Sequence, residues 1–129
     1  MIIGTGIDLI ENIRIEALLK SSISSRFFKK IFTENEVLLA GGRALFFAGN
    51  FAAKEAFAKS LGTGFRGFMP NEVEILRDEL GKPYINLYGG ALKRLNEMLS
   101  HKDDCKVHVS ITNTKDYSCA SVFIEDMGK

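Results

Sequence analysis

Several things are scarce in this 129-residue sequence, and each scarcity excludes a class of function. Cysteine occurs twice, at Cys105 and Cys119, and histidine twice, at His101 and His108. With no Cys-x-x-Cys pair and no Cys/His cluster there is no zinc-ligand pattern, and both thiols are expected to be reduced. Charge of one sign is not in excess: 17 Lys and Arg against 16 Asp and Glu leave a formal net charge of +1. That balance gives no reason to expect nucleic acid as a partner. Long apolar runs are missing too. The nearest candidate, LLAGGRALFFAGNFAA, is interrupted by Arg43 and by glycine and asparagine, so no membrane span is expected. MIIGTGIDLIE has no basic segment and meets an acid at Asp8, so no secretory signal is expected there. These absences leave a cytoplasmic protein as the expectation.

What is present is ordinary globular material, 46% hydrophobic and 26% charged, of a length that fits one domain over residues 1–129. MIIGTGIDLIE is rich in β-branched residues and reads as a strand ending near Asp8. Asn12 is placed to N-cap a short amphipathic helix through Ile13, Leu18 and Leu19, and SSRFFKKIF (24–32) reads as a second helical piece. Thr33 and Glu36 have capping-box spacing, so a third helix begins there and runs to Gly41-Gly42. Residues 43–61 form the longest predicted helix, stopped by Gly62 and Gly64. Strands are expected over 72–78 and beyond the turn at Gly81, then a helix over 91–100. VHVSITN (107–113) alternates, with Val107, Val109 and Ile111 on one face and His108, Ser110 and Thr112 on the other. YSCASVFIE (117–125) pairs with it through a turn at 114–116. The order predicts an α+β fold, a mostly antiparallel sheet packed against a long central helix.

The stretch FAAKEAFAKSLGTGFRG (51–67) sets charge among apolar residues. Phe51, Glu55 and Lys59 share a helical face, with Lys54 about 100° away. Glu55 and Lys59 have the favourable order for an i,i+4 ion pair, which is one reading of the glutamate. Its apolar company supports another, a carboxylate pointing into a partly enclosed site. Asp8 poses the same question at the end of an apolar strand, where it is either a hydrogen-bonded core aspartate or half of a cation site. Two carboxylates with no soft ligand nearby suit Mg²⁺, which keeps several waters and completes its shell with substrate phosphate. Lys54, Lys59 and Lys82 would supply positive charge. GTGFRG is a literal G-x-G-x-x-G, but it follows a helix rather than a strand, so it is not a dinucleotide fingerprint. His108 and Ser110 share a strand face with no nucleophile elbow, so a satisfied or phosphate-contacting histidine is expected rather than a nucleophile pair. Five basic residues (Arg14, Lys20, Arg26, Lys29 and Lys30) stand against Glu16 alone between positions 14 and 30, a solvated face or a docking face.

GTGIDLIE, FAAKEAFAKSLGTG, GKPY and HVSIT, in this order and over nearly the whole chain, resemble holo-[acyl-carrier-protein] synthase, the small bacterial class of 4′-phosphopantetheinyl transferase. The resemblance implies a Mg²⁺-dependent transfer of 4′-phosphopantetheine from coenzyme A to a serine of apo acyl carrier protein, releasing adenosine 3′,5′-bisphosphate, in support of fatty acid biosynthesis. It implies a compact α+β domain forming a homotrimer with coenzyme A in clefts between protomers, hence exposed apolar surface on one protomer. Asp8 and Glu55 match the metal ligands. Lys59 becomes the cation for the pyrophosphate, and Glu55 or a water on the ion becomes the acceptor of the serine proton. Gly62, Thr63, Gly64, Lys82 and Pro83 match segments that line the coenzyme A site, together with Lys54, and His108 and Ser110 match a strand near the phosphates. An acidic carrier would dock on Arg14, Arg26 and Phe27.

Two positions depart from the family pattern. Asn50 stands where members usually carry an arginine, and Asn113 where they commonly carry a histidine. Both changes are expected to weaken coenzyme A binding, since Asn50 lacks a forked donor. The alternative reading they leave open is a coenzyme A or nucleotide-binding module of the same fold without catalysis.

Overall fold

The structure, a computed structural model, describes residues 1–21 and 25–128. Its larger sheet begins with β1 (Ile2–Glu11), which pairs antiparallel with β5 (Tyr117–Asp126). β5 pairs on its other edge with β4 (Cys105–Asn113), giving the order β1-β5-β4. A separate antiparallel ribbon joins β2 (Val73–Arg77) to β3 (Pro83–Leu87), with Val73 opposite Leu87. The predicted α+β architecture is present, with its strands divided between two sheets.

β1 runs three residues past the predicted end, because Leu9, Ile10 and Glu11 pair with Cys119, Ser118 and Tyr117. α1 (Asn12–Lys20) therefore starts at Asn12, and Asn12 does not cap it; Glu11 holds the N-cap position without a side-chain bond. Buried Asn12 ties down the β4–β5 turn instead. Its Nδ2 donates to the carbonyls of Thr114 (2.9 Å) and Lys115 (3.1 Å), and its Oδ1 accepts from Ser118 Oγ at 2.6 Å.

α2 (Ser25–Ile31) leads to α3 (Glu34–Ala40), whose capping box forms as the spacing predicts. Thr33 Oγ1 accepts from the Glu36 amide, and Glu36 Oε1 accepts from the Thr33 amide. The aromatic rings of Phe28, Phe32 and Phe47 meet at centroid distances of 4.9–5.1 Å and join these helices to the centre.

α4 (Ala44–Ser60) is buried around most of its circumference. Alanine dominates where it crosses β1, and the strand supplies glycine at the crossing. A Cβ at Gly6 would overlap the Ala56 carbonyl, and one at Gly4 the Ser60 carbonyl. This close approach sets helix backbone against strand backbone and carries Asp8 to the edge of α4. Phe57 of this helix and Ile75, Val122 and Ile124 around it are fully enclosed, each contributing about 1.5–3 kcal/mol by burial. Gly62, in the left-handed region at φ 78°, ends the helix, with its amide donating to the Lys59 carbonyl.

The last helix, α5 (Gly89–Met98), begins and ends two residues earlier than predicted and buries Ala91 and Leu95. Arg94 on it donates to the Leu61 carbonyl at 3.1 Å, which holds the loop after α4.

Candidate active site

Successive residues of a helix point about 100° apart, and Lys54 and Glu55 use that angle to reach different environments. Lys54 turns inward. Its ammonium is fully buried, 2.8 Å from Glu36 Oε1, and also donates to the carbonyls of Pro70 (3.1 Å) and Val73. Burial drives its pKa down, against the pull of Glu36 and Glu74. Every donor is spent inside the protein. Sequence reasoning put Lys54 among the cations for the phosphates; its side chain is instead a strut between α4, α3 and the segment entering β2.

Asn50, one turn before Lys54, belongs to the same network. Its Nδ2 donates to Glu36 Oε2 (2.8 Å) and the Ile75 carbonyl (2.9 Å), and its Oδ1 accepts from Arg77 Nη2 at 2.9 Å. Asn50 has no solvent exposure, and its side chain is engaged wholly within the protein. The forked donor here is Arg77, whose guanidinium lies 4.5 Å over the Phe46 ring. Asn113 is likewise a tether: its Nδ2 donates to Ser118 Oγ (2.7 Å) and the Leu45 carbonyl (3.2 Å).

Glu55 faces the other way, toward β1. It is half-buried, and among the described residues its carboxylate accepts no hydrogen bond. Burial raises its pKa, and the nearby charge of Asp8 raises it further, with Lys59 opposing. Asp8 shares its strand face with Gly4 and Gly6, so the helix that those glycines admit also brings Glu55 beside it. Lys59 completes the group, but not as Glu55's partner. Its Nζ lies 3.0 Å from Asp8 Oδ1 and donates at 3.0 Å to the Ile7 carbonyl. The ion pair read from the i,i+4 spacing is replaced by one across the helix–strand contact, because β1 lies within the lysine's reach.

Two oxygen-donor carboxylates, one of them unpartnered and short of positive charge, fit a hard cation that keeps waters and takes other ligands from phosphate. Among the described residues no group of three or more His, Cys, Asp or Glu could hold a metal, so an all-protein cage is not what this site offers.

The other predicted site residues are dispersed. Gly62, Thr63 and Gly64 follow the C-terminal end of α4, backed by Arg94 and by Phe65 and Phe68, whose rings meet at 5.3 Å. Lys82 and Pro83 lie at the β2–β3 turn, where Asp78 Oδ1 accepts from the Leu80 and Lys82 amides. Pro83 pairs with Arg77, which sits over Phe46 in the first turn of α4. The two loops thus flank opposite ends of one helix.

His108 and Ser110 are exposed on the sheet face turned away from Asp8, and His108 Nε2 lies 3.0 Å from Glu125 Oε1. The same outer face exposes Ile7 (64%), Leu9 (63%), Tyr117 and Phe123. The chain carries exposed apolar surface of the kind the resemblance implies, and it does not by itself unite all the expected site residues. Arg14, Arg26 and Phe27 are exposed on α1 and α2. Sequence reasoning missed the Glu36–Asn50–Arg77 network and Arg94; the capping-box glutamate alone hinted at the first.

A family model described as the 4′-phosphopantetheinyl transferase superfamily matches residues 4–122, and the chain belongs to that superfamily. Among its relatives, holo-[acyl-carrier-protein] synthase of Lachnoclostridium phytofermentans is 47% identical over 126 residues, with 97% of each chain covered. That of Clostridium tetani is 41% identical over 128 residues, again covering 97% of each. Holo-(acyl-carrier-protein) synthase of Bacillus anthracis, solved in complex with CoA (3′,5′-ADP), aligns with a TM-score of 0.76 at 35% identity over 98% of both chains. The structure from Neisseria meningitidis gives a TM-score of 0.80 at 35% identity, covering 98% of this chain and all of that one. Within the superfamily the particular branch is that of the holo-[acyl-carrier-protein] synthases, and the chain is an enzyme.

Proposed function

We propose that this enzyme, with residues 1–129 acting as one domain, transfers 4′-phosphopantetheine from coenzyme A to a serine of apo acyl carrier protein in support of fatty acid biosynthesis. The observation that carries the reading is the Asp8–Glu55–Lys59 group, in a chain similar throughout to a synthase solved with CoA. The serine Oγ bonds to the β-phosphorus while the bond to the bridging oxygen breaks, and adenosine 3′,5′-bisphosphate leaves. Asp8 and Glu55 hold Mg²⁺, which when bound supplies neutralisation of the pyrophosphate and of charge on the leaving oxygen. Glu55, whose carboxylate accepts no hydrogen bond among the described residues, is free to accept the serine proton, a role a water on the ion could also fill. Lys59 adds the mobile cation that the pyrophosphate needs, its ammonium being half-exposed and already at the site.

The dispersion of Gly62–Gly64, Lys82–Pro83, His108 and Ser110 supports a cleft completed by a neighbouring protomer. The exposed apolar sheet face supports a homotrimer formed through it. The basic surface of Arg14 and Arg26 beside exposed Phe27 suits an acidic carrier, with the charges raising the rate of encounter. We assign the enzyme to the cytoplasm; among the described residues no helix is long and apolar enough to cross a membrane.

Incubation with coenzyme A, Mg²⁺ and an apo carrier, read by intact mass, tests the proposal. The carrier gains one phosphopantetheine if it is right. No gain over a wide enzyme range, with coenzyme A still bound, would leave a binding module in its place.

A further inference from the structure

Lys59 has a contact that its role as a phosphate cation does not require. Its ammonium is bonded to Asp8 Oδ1 and to the Ile7 carbonyl, both at 3.0 Å. A lysine ammonium carries the charge and the oxygen preference of a hard cation, on a flexible stem able to move several ångströms. We propose that Lys59 is a built-in stand-in for the divalent cation, neutralising Asp8 in the substrate-free enzyme and opposing metal binding until a pyrophosphate draws it away.

The inference rests on the assignment of Asp8 and Glu55 as metal ligands, and three features of the site support it. Among the described residues Glu55 has no hydrogen-bond partner, so the lysine serves only one of the two carboxylates. The site is therefore half-neutralised rather than closed, unlike the Lys54–Glu36 pair, whose donors and acceptors are all engaged. Secondly, Lys59 is more than half exposed whereas Asp8 is largely covered, so the lysine side chain is the movable member. Finally, a dication at Asp8 would lie within a few ångströms of the ammonium, where like charges repel strongly even with partial screening. Pyrophosphate reverses this sign: its oxygens attract the lysine and the metal together. Metal and coenzyme A then bind cooperatively, each strengthening the other by the same factor.

Calorimetric titration of Mg²⁺ into wild type and Lys59→Met, first alone and then with coenzyme A, tests this without measuring turnover. The exposed position makes Lys59→Met compatible with folding, and Lys59→Gln provides a second neutral variant. Without coenzyme A, both variants should bind Mg²⁺ about tenfold more tightly than wild type, for removal of one adjacent positive charge. With coenzyme A present, that advantage should shrink or reverse. Equal or weaker Mg²⁺ binding by the variants in the absence of coenzyme A, while wild type binds the ion, overturns the stand-in role and leaves the metal site intact. No Mg²⁺ binding by any of the proteins, with or without coenzyme A, overturns both.

Discussion

Around Lys54 each charged atom has found a partner, whereas one residue further along the same helix Glu55 has none among the described residues. The first region is a closed network. Glu36 receives Lys54, Asn50 and the Thr33 amide in full burial, and nearby Glu74 accepts from Thr33 Oγ1 (2.6 Å), Asn35, Asn86 and Tyr88. The second is an open group of Asp8, Glu55 and Lys59 with one ion pair among three charges. Sequence makes Lys54 and Glu55 look alike, since both are charges in one apolar run. Saturation distinguishes them. A saturated buried pair holds elements in place, and an unsaturated, half-buried carboxylate is available to a ligand.

The comparison breaks most readily at its closed end. Lys54→Met strands Glu36 as a buried, uncompensated carboxylate and should cost about 3–5 kcal/mol, read by denaturant unfolding at fixed protein concentration. Adding Glu36→Gln should recover part of that loss. A stability unchanged by Lys54→Met would remove the distinction between the two regions.

Glu55→Gln should do the opposite: keep or slightly raise stability while lowering transferase turnover about a thousandfold, by loss of a metal ligand and proton acceptor. Wild-type rates in this variant would refute the site.

Acid separates the regions by sign. Burial and Asp8 raise the Glu55 pKa, so its carboxylate is lost as pH falls through a value above the ordinary glutamate range. Protons then compete with Mg²⁺ for this carboxylate, so Mg²⁺ affinity should fall as pH falls in wild type and much less in Glu55→Gln, while protonation of Glu55 itself does not destabilise the fold. At Glu74 burial alone would raise the pKa, but four side-chain hydrogen bonds outweigh it and hold the pKa low. Its stabilisation is complete above the unfolded-state pKa and is lost as pH falls through the lower folded-state value, so Glu74→Gln should flatten the acid end of a stability profile. The smallest effect is expected at the surface, where neutralising Arg14 and Arg26 should raise the carrier KM a few fold, lessen its salt dependence and leave the coenzyme A KM unchanged.

Much of this arrangement is written locally in the chain. The capping box at Thr33, the stop at Gly62 and the alternation of 107–113 depend on neighbours in sequence, and they appear as read. Glu55 and Asp8 stood out because each is a charge among apolar residues. The inward turn of Lys54 and the burial of Asn50 share a physical cause. Helical spacing tells which residues share a face but not which face meets the interior, and α4 has packing on nearly all sides. Asn12 was misread because its side chain is spent on the Thr114 and Lys115 carbonyls and on Ser118, about 100 residues away in sequence, and does not cap α1. The Lys59–Asp8 bridge depends on the crossing of α4 over Gly4 and Gly6, a contact between segments about 50 residues apart that spacing alone does not encode.

The affinity of coenzyme A with and without Mg²⁺, in wild type and Glu55→Gln, tests the central claim most directly. The account predicts that Mg²⁺ tightens coenzyme A binding in wild type and has little effect in the variant, which still folds and binds coenzyme A. An equal Mg²⁺ enhancement in both proteins would contradict it.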